Sequence, residues 1–228
     1  MIGFRVARQQ NLHSMSHADK PKSENWLSSL FMSKEGVYQN LLQQARDAYV
    51  SHPQMTSFAP FPDDIQRQEI EPYHLPCGDV LQQEAGLVSQ TYARLQDAIV
   101  NAAPYAVWRE TYKYTDIGDC FLNNFGCYSI VGAGGPFLSN KLWLWIVHMP
   151  PQLYYPWHHH PAEEMYMVIS GTGVFNREGC PSENLGEGGT MYHESNQPHA
   201  METQDDPILC LVAWRNRFDT PPVLTPSN

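Results

Sequence analysis

The sequence has little of what several functional classes require. Its five cysteines, Cys77, Cys120, Cys127, Cys180 and Cys210, are odd in number, irregularly spaced and form no CxxC pair. That pattern argues against a disulfide framework or a zinc ribbon and points to reduced thiols. Positive charge is scarce. Lys+Arg number 14 against 24 Asp+Glu, a net charge of −10 with His neutral. No basic stripe exists to neutralise phosphates, so no nucleic acid and no anionic membrane is an expected partner. Long apolar runs are missing as well. Runs such as residues 142–147 are far too short to span a bilayer. Residues 1–10 turn polar before the apolar core of a signal peptide can form. A cytoplasmic protein is the expectation. There is no internal repeat and no low-complexity tract.

What remains is an ordinary globular composition. Of 228 residues, 42% are hydrophobic, 17% charged and 12% aromatic, which suits a packed core rather than disorder. Residues 1 to about 23 are polar, aperiodic and expected to be mobile. Helical spacing of apolar residues predicts helices over 25–51 and 79–102. Between them, residues 52–78 carry Pro53, Pro60, Pro62, Pro72 and Pro76, so a connector with at most short helical turns is expected. After Pro104 the pattern changes to short β-type runs at 120–130, 141–149, 164–176, 189–192 and 207–215, punctuated by Gly and Pro. The fold class is α+β, mainly β. A helical extension over 1–103 would pack on a small barrel or double-sheet jelly roll over 104–228. The helices could also bury a homodimer contact.

The chemistry concentrates in one segment, residues 154–171. His158-x-His160 is followed after three residues by Glu164 and after six more by Gly171. Positions two apart on a strand face the same way, so His158 and His160 can point together into a barrel, as can Glu164 and Tyr166. Imidazole and carboxylate are the ligand set for Zn, Mn, Fe, Co or Ni. Downstream, Pro198-His199 after a turn could deliver one more imidazole. His159 alternates to the opposite face, and Glu163 outward. His148 reads as a satisfied structural histidine. His193 and Glu194 read as loop residues beside the second segment. Gly132, Gly134 and Gly135 read as a turn before a strand, since no Lys-bearing helix follows them.

These two segments resemble the two cupin motifs. The first matches HxHx3Ex6G at every fixed position after its leading Gly. The second departs, with Ser195-Asn196-Gln197-Pro198-His199 in place of P-x-G-x-x-H. The stretch Tyr155-Pro156-Trp157-His158-His159-His160-Pro161-Ala162-Glu163-Glu164-x-Tyr166 is further similar to the cupin-type dimethylsulfoniopropionate (DMSP) lyases. The helical first half fits that family in outline, and the length fits its DddL-like branch. The resemblance implies a cupin double-stranded β-helix barrel. It implies a divalent metal, Zn, Mn or Fe before Co or Ni, held by His158, His160, Glu164 and His199. It also implies cleavage of DMSP to dimethyl sulfide and acrylate, with Tyr166 as the base and Tyr155 as a second active-site tyrosine.

Elementary chemistry accommodates that reaction. Elimination needs a Lewis acid on the substrate carboxylate and a base at the α-proton. A tyrosine with an ordinary pKa near ~10 needs a neighbouring cation to serve as that base. The sulfonium needs aromatic faces rather than positive charge, and Trp157, Tyr155, Tyr192 and Trp214 are the candidates. Because one barrel hosts many chemistries, an Fe(II) dioxygenase, an isomerase or a non-enzymatic ligand-binding cupin are the alternatives.

Overall fold

The computed structural model describes residues 33–226. The polar stretch expected over 1–23, and residues 25–32 of the first expected helix, lie outside the described residues. Helix α1 (Lys34–Ser51) starts at Ser33, whose Oγ accepts the Gly36 N–H at 3.1 Å and caps the first turn. Its buried face is Val37, Tyr38, Leu41, Ala45, Ala48 and Tyr49, one stripe at helical spacing. The connector holds α2 (Pro53–Phe58), the two-residue strand β1 (Gln66–Arg67) and the start of α3 (Pro76–Gln83). Proline opens both helices, at the position where its missing N–H costs nothing.

The helix expected over 79–102 is two helices, α3 and α4 (Ala93–Ala102). Between them the chain is diverted by partners that local periodicity cannot reveal. Glu84 Oε1 accepts the Gly86 N–H at 2.9 Å, and the Glu187 carboxylate accepts the N–H groups of Gln90 and Thr91 at 2.9 and 2.5 Å. The change from helix to strand falls at the short 3₁₀ turn Ala103–Tyr105. One more helix, α5 (Asp119–Asn124), replaces the first part of the strand expected over 120–130.

The remaining strands run in chain order. They are β2 (Gly126–Val131), β3 (Phe137–Leu138), β4 (Trp143–Met149), β5 (Tyr154–His159), β6 (Glu163–Gly171) and β7 (Gly173–Arg177). Then follow β8 (Glu183–Leu185), β9 (Thr190–His193), β10 (His199–Glu202), β11 (Ile208–Arg215) and β12 (Val223–Leu224). They form a seven-stranded sheet, β1-β3-β2-β4-β11-β6-β9, and a five-stranded sheet, β12-β5-β10-β7-β8. The two sheets make the double-stranded β-helix of a cupin.

Period-two alternation divides the core. On the large sheet Leu144, Ile146, Met165, Met167, Ile169, Leu209, Leu211 and Ala213 pack against the helices. Their neighbours Trp145, Val147, Tyr166, Val168, Cys210, Val212 and Trp214 face the barrel interior with Tyr155, Phe175 and Met201 of the small sheet. Each fully buried aliphatic side chain contributes on the order of 1.5–3 kcal/mol, which ties helices and barrel into one core. Buried polar tips are satisfied where the helices meet the barrel. Tyr38 donates to the Tyr105 carbonyl at 2.7 Å, and Tyr128 to the Ile99 carbonyl at 3.0 Å. Gly171, the last fixed position of the first motif, has φ +78°, and a β-carbon there would lie 1.8 Å from the Pro207 carbonyl oxygen. The turn from β6 to β7 therefore admits only glycine. No helix among the described residues is long and apolar enough to cross a membrane.

Candidate metal centre and active site

Strand β5 is irregular, and the irregularity sets the site. His199 of β10 pairs with His158, but Met201 pairs with Tyr155, so β5 uses one residue more than its partner over this stretch. The bulge includes Pro156, which has no N–H to give to a ladder. Strict alternation would send Tyr155 and His158 to opposite faces. With the bulge both point inward, and their rings stack at 3.9 Å and 12°. Trp157 is turned outward and is 36% exposed, so it does not line the cavity expected of it. His159 also faces out, with Nδ1 2.9 Å from Thr225 Oγ1.

Glu164 is placed by register. On β6 it lies directly opposite His193 of β9 on one side and Trp214 of β11 on the other. Both neighbours donate to it. His193 Nδ1 is 2.7 Å from Oε2, and Trp214 Nε1 is 2.5 Å from Oε1. Trp214 lines the cavity as expected, but its N–H orients the carboxylate, and its ring lies 4.2 Å from that of His160. Tyr192 alternates away from His193. Its hydroxyl donates to Glu163 Oε1 at 2.8 Å and its ring packs on Phe58, outside the barrel, so it too is removed from the substrate pocket. Burial opposes charge on Glu163, but hydrogen bonds led by Arg215 hold its carboxyl down at about 2. The outward face of β6 is thus clamped to β9, β11 and α2.

His160, Glu164 and His199 each offer a ligand atom, and these atoms lie within 4.8 Å of one another. His160 Nε2 is 3.6 Å and His199 Nε2 3.2 Å from Glu164 Oε2. The structure gathers three of the four expected donors in this way. His158 adjoins them, its ring 4.0 Å from that of His199, but it is held under Tyr155 and does not join the cluster. The Nδ1 atoms of His160, His199 and His158 face the carbonyls of Ala162, Gln197 and Pro156 at 3.0, 2.8 and 2.8 Å. Such contacts fix the tautomer and leave Nε2 as the free lone pair.

The residues fit a metal ion. The Nε2 atoms of His160, His193 and His199 are buried without a hydrogen-bond partner, a costly state for a polar atom unless a cation completes it. Burial, together with repulsion from His199, pushes His158 well below the usual imidazole range and His193 down to about 3, so both are neutral, the form that ligates metals. Burial alone would raise Glu164. The surrounding imidazoles of His160, His193 and His199 outweigh it and hold the carboxylate ionised, well below its usual range.

His193 was expected on a loop. It is instead the last residue of β9, inward, with its ring stacked on His199 at 3.9 Å and 16°. The parity of Met191 and His193 carried the signal, because Met191 faces the interior too. His148, expected to be satisfied, has both ring nitrogens buried without a partner, and burial lowers it to about 4. Tyr112 was not anticipated. Its hydroxyl lies 2.9 Å from that of Tyr155, and both are buried. Burial first, then the Glu164 charge, raises Tyr166 well above its ordinary value. Tyr155 is raised by burial and then by Tyr112.

Trp214→Phe would keep the ring over His160 and remove the N–H on Glu164. It is expected to lower metal affinity by about 10- to 100-fold, read by competition with a chromogenic chelator.

Residues 55–210 match the protein family described as dimethylsulfoniopropionate lyase. Dimethylsulfoniopropionate lyase DddQ of Ruegeria pomeroyi is 39% identical over 189 residues, 83% of this chain and 94% of its own length. The crystal structure of DMSP lyase DddQ from Ruegeria pomeroyi DSS-3 superposes with a TM-score of 0.82, covering 83% of this chain and 96% of that one. A chain from the crystal structures of the DMSP lyases RdDddP and RnDddQII gives a TM-score of 0.82 at 36% identity, covering 85% of this chain and 100% of that one. The Ruegeria pomeroyi relative carries the DddQ designation, where chain length had suggested the DddL-like branch.

Proposed function

This chain belongs to the dimethylsulfoniopropionate lyase family, and from that membership we propose that it is a carbon–sulfur lyase cleaving DMSP to dimethyl sulfide and acrylate with Tyr166 as base. The observation that carries the mechanism is the position of Tyr166. It lines the same cavity as His160 and Glu164, two residues along β6 from that carboxylate.

His160, Glu164 and His199 are the residues that would hold the ion, with His158 beside them on the cavity wall. Their imidazole–carboxylate set suits Zn, Mn or Fe. A divalent cation held there supplies a Lewis acid for the substrate carboxylate and positive charge that favours the phenolate form of Tyr166.

The rest is done by the chain. The Tyr166 oxygen takes the proton from the carbon next to the carboxylate. The C–H electron pair becomes the new carbon–carbon double bond. The bond from the β-carbon to sulfur breaks, and its electron pair leaves with sulfur as neutral dimethyl sulfide. No acid is needed for that departure. Tyr155, backed by Tyr112, presents an aromatic face without positive charge to the sulfonium, an attraction worth about 0.5–2 kcal/mol. Trp145, Val212 and Trp214 give the cavity an apolar wall.

The test is direct. Metal-loaded protein given DMSP is expected to release dimethyl sulfide and acrylate in equal amounts. Chelation abolishes the release and re-addition of metal restores it. Loaded protein that yields neither product would overturn the reading.

A further inference from the structure

One group in the cavity wall is left idle by this chemistry. Arg109 lines the cavity, and among the described residues no other lysine or arginine does. Its backbone N–H donates to the Cys127 carbonyl at 3.0 Å, which ties the start of the 109–118 segment to β2. Its guanidinium sits 4.4 Å from the centroid of the Trp145 ring. Ion pairs among the described residues occupy Arg67, Lys113, Lys141, Arg177 and Arg215, and none includes Arg109. The ion-pair contacts of Glu164 are with His160, His193 and His199, and Arg109 is not among them.

A half-buried cation without a counter-ion is unfavourable in the free protein and favourable for an anionic ligand. A guanidinium presents its donors in a planar fork that matches a carboxylate. Its charge reaches the interior. Burial raises the Cys127 thiol, Arg109 lowers it and Glu164 raises it, so the two charges act on one thiol of the cavity wall.

We infer that Arg109 is a specificity-determining residue that receives the substrate carboxylate and thereby fixes which way round the zwitterion enters. This rests on the lyase reading above. A carboxylate has two oxygens, so engagement by Arg109 leaves lone pairs for the His160–Glu164–His199 end of the cavity. The same positive charge repels the sulfonium. The face of Trp145 is already covered by the guanidinium, which leaves Phe125 and Tyr155, with rings 4.5 Å apart, as the uncharged wall for the sulfonium.

The experiment compares metal-loaded wild type, R109Q and R109K on DMSP and on its methyl ester, which keeps the sulfonium and loses the negative charge. Calorimetric titration with propionate is run on all three. R109Q is expected to raise KM for DMSP about 10- to 100-fold with a smaller change in kcat, to lose the preference for DMSP over the ester, and to lose propionate binding. R109K, with a point charge in place of the fork, is expected to fall between. Should R109Q fail to fold, R109K carries the same comparison. A folded variant that retains the ester discrimination and propionate binding overturns the assignment, because packing on Trp145 would then be the whole role of Arg109. If wild type releases no dimethyl sulfide, the lyase reading fails. Propionate binding by wild type and not by R109Q would still uphold the arginine, and equal binding would still overturn it.

Discussion

Tyr166→Phe is expected to lower kcat by about a thousandfold, within the range ascribed to a positioned general base, while the protein stays folded and metal-loaded. The substitution removes one oxygen from a buried ring. That ring packs against Phe175 at 5.5 Å and against His193 at 5.7 Å, and both contacts survive in phenylalanine. None of the influences on the Tyr166 phenol is a hydrogen bond, so no buried partner is orphaned. Thermal melting and metal content should therefore match wild type. Turnover followed as headspace dimethyl sulfide should not. A variant that keeps more than about a tenth of wild-type turnover would remove Tyr166 from the role of base.

His160→Ala is expected to abolish both metal binding and turnover. His160 contributes one of the three clustered ligand atoms, and its Nδ1 is oriented by the Ala162 carbonyl. The substitution also removes the ring beneath Trp214, whose N–H positions Glu164, so two of the three donors are affected at once. Stability should fall by about 2–4 kcal/mol from the space left beside Trp214, before any loss of metal-linked stability is added. Elemental analysis of the purified variant is the decisive measurement. Retention of stoichiometric metal would show that the ion sits elsewhere.

Much of this site is legible in the chain because the motif obeys strand parity. Tyr166 and Val168, of the same parity as Glu164, alternate with Met165, Met167 and Ile169, and the two hydrophobic sets end in different cores. His160 and Glu164 can be assigned on spacing alone. The rest depends on partners far away in sequence. The bulge at Pro156 cannot be read locally, because it is defined by what β10 does opposite it. It turns Trp157 outward, against its expected role, while Tyr155 and His158 both turn in. Tyr192 and His193 are adjacent, and only the extent of β9 decides which of them enters the barrel. The break between α3 and α4 is held by Glu187, almost a hundred residues downstream. Arg109 carries no motif. Its interest lies in what does not pair with it.

The cross-strand placement of Glu164 has a consequence for how the protein reaches its native state. Its two hydrogen-bond partners come from β9 and β11, the strands on either side of β6. A slip of β9 by one residue would present Tyr192 or Glu194 in place of His193. The same slip of β11 would present Ala213 or Arg215 in place of Trp214. Either error turns a strand inside out and strips a buried carboxylate of one of its two donors. The Glu164 carboxylate thus acts as a proofreader of sheet assembly, tolerating one alignment of three strands. Capture of the ion should accordingly come late in folding, once those strands have locked.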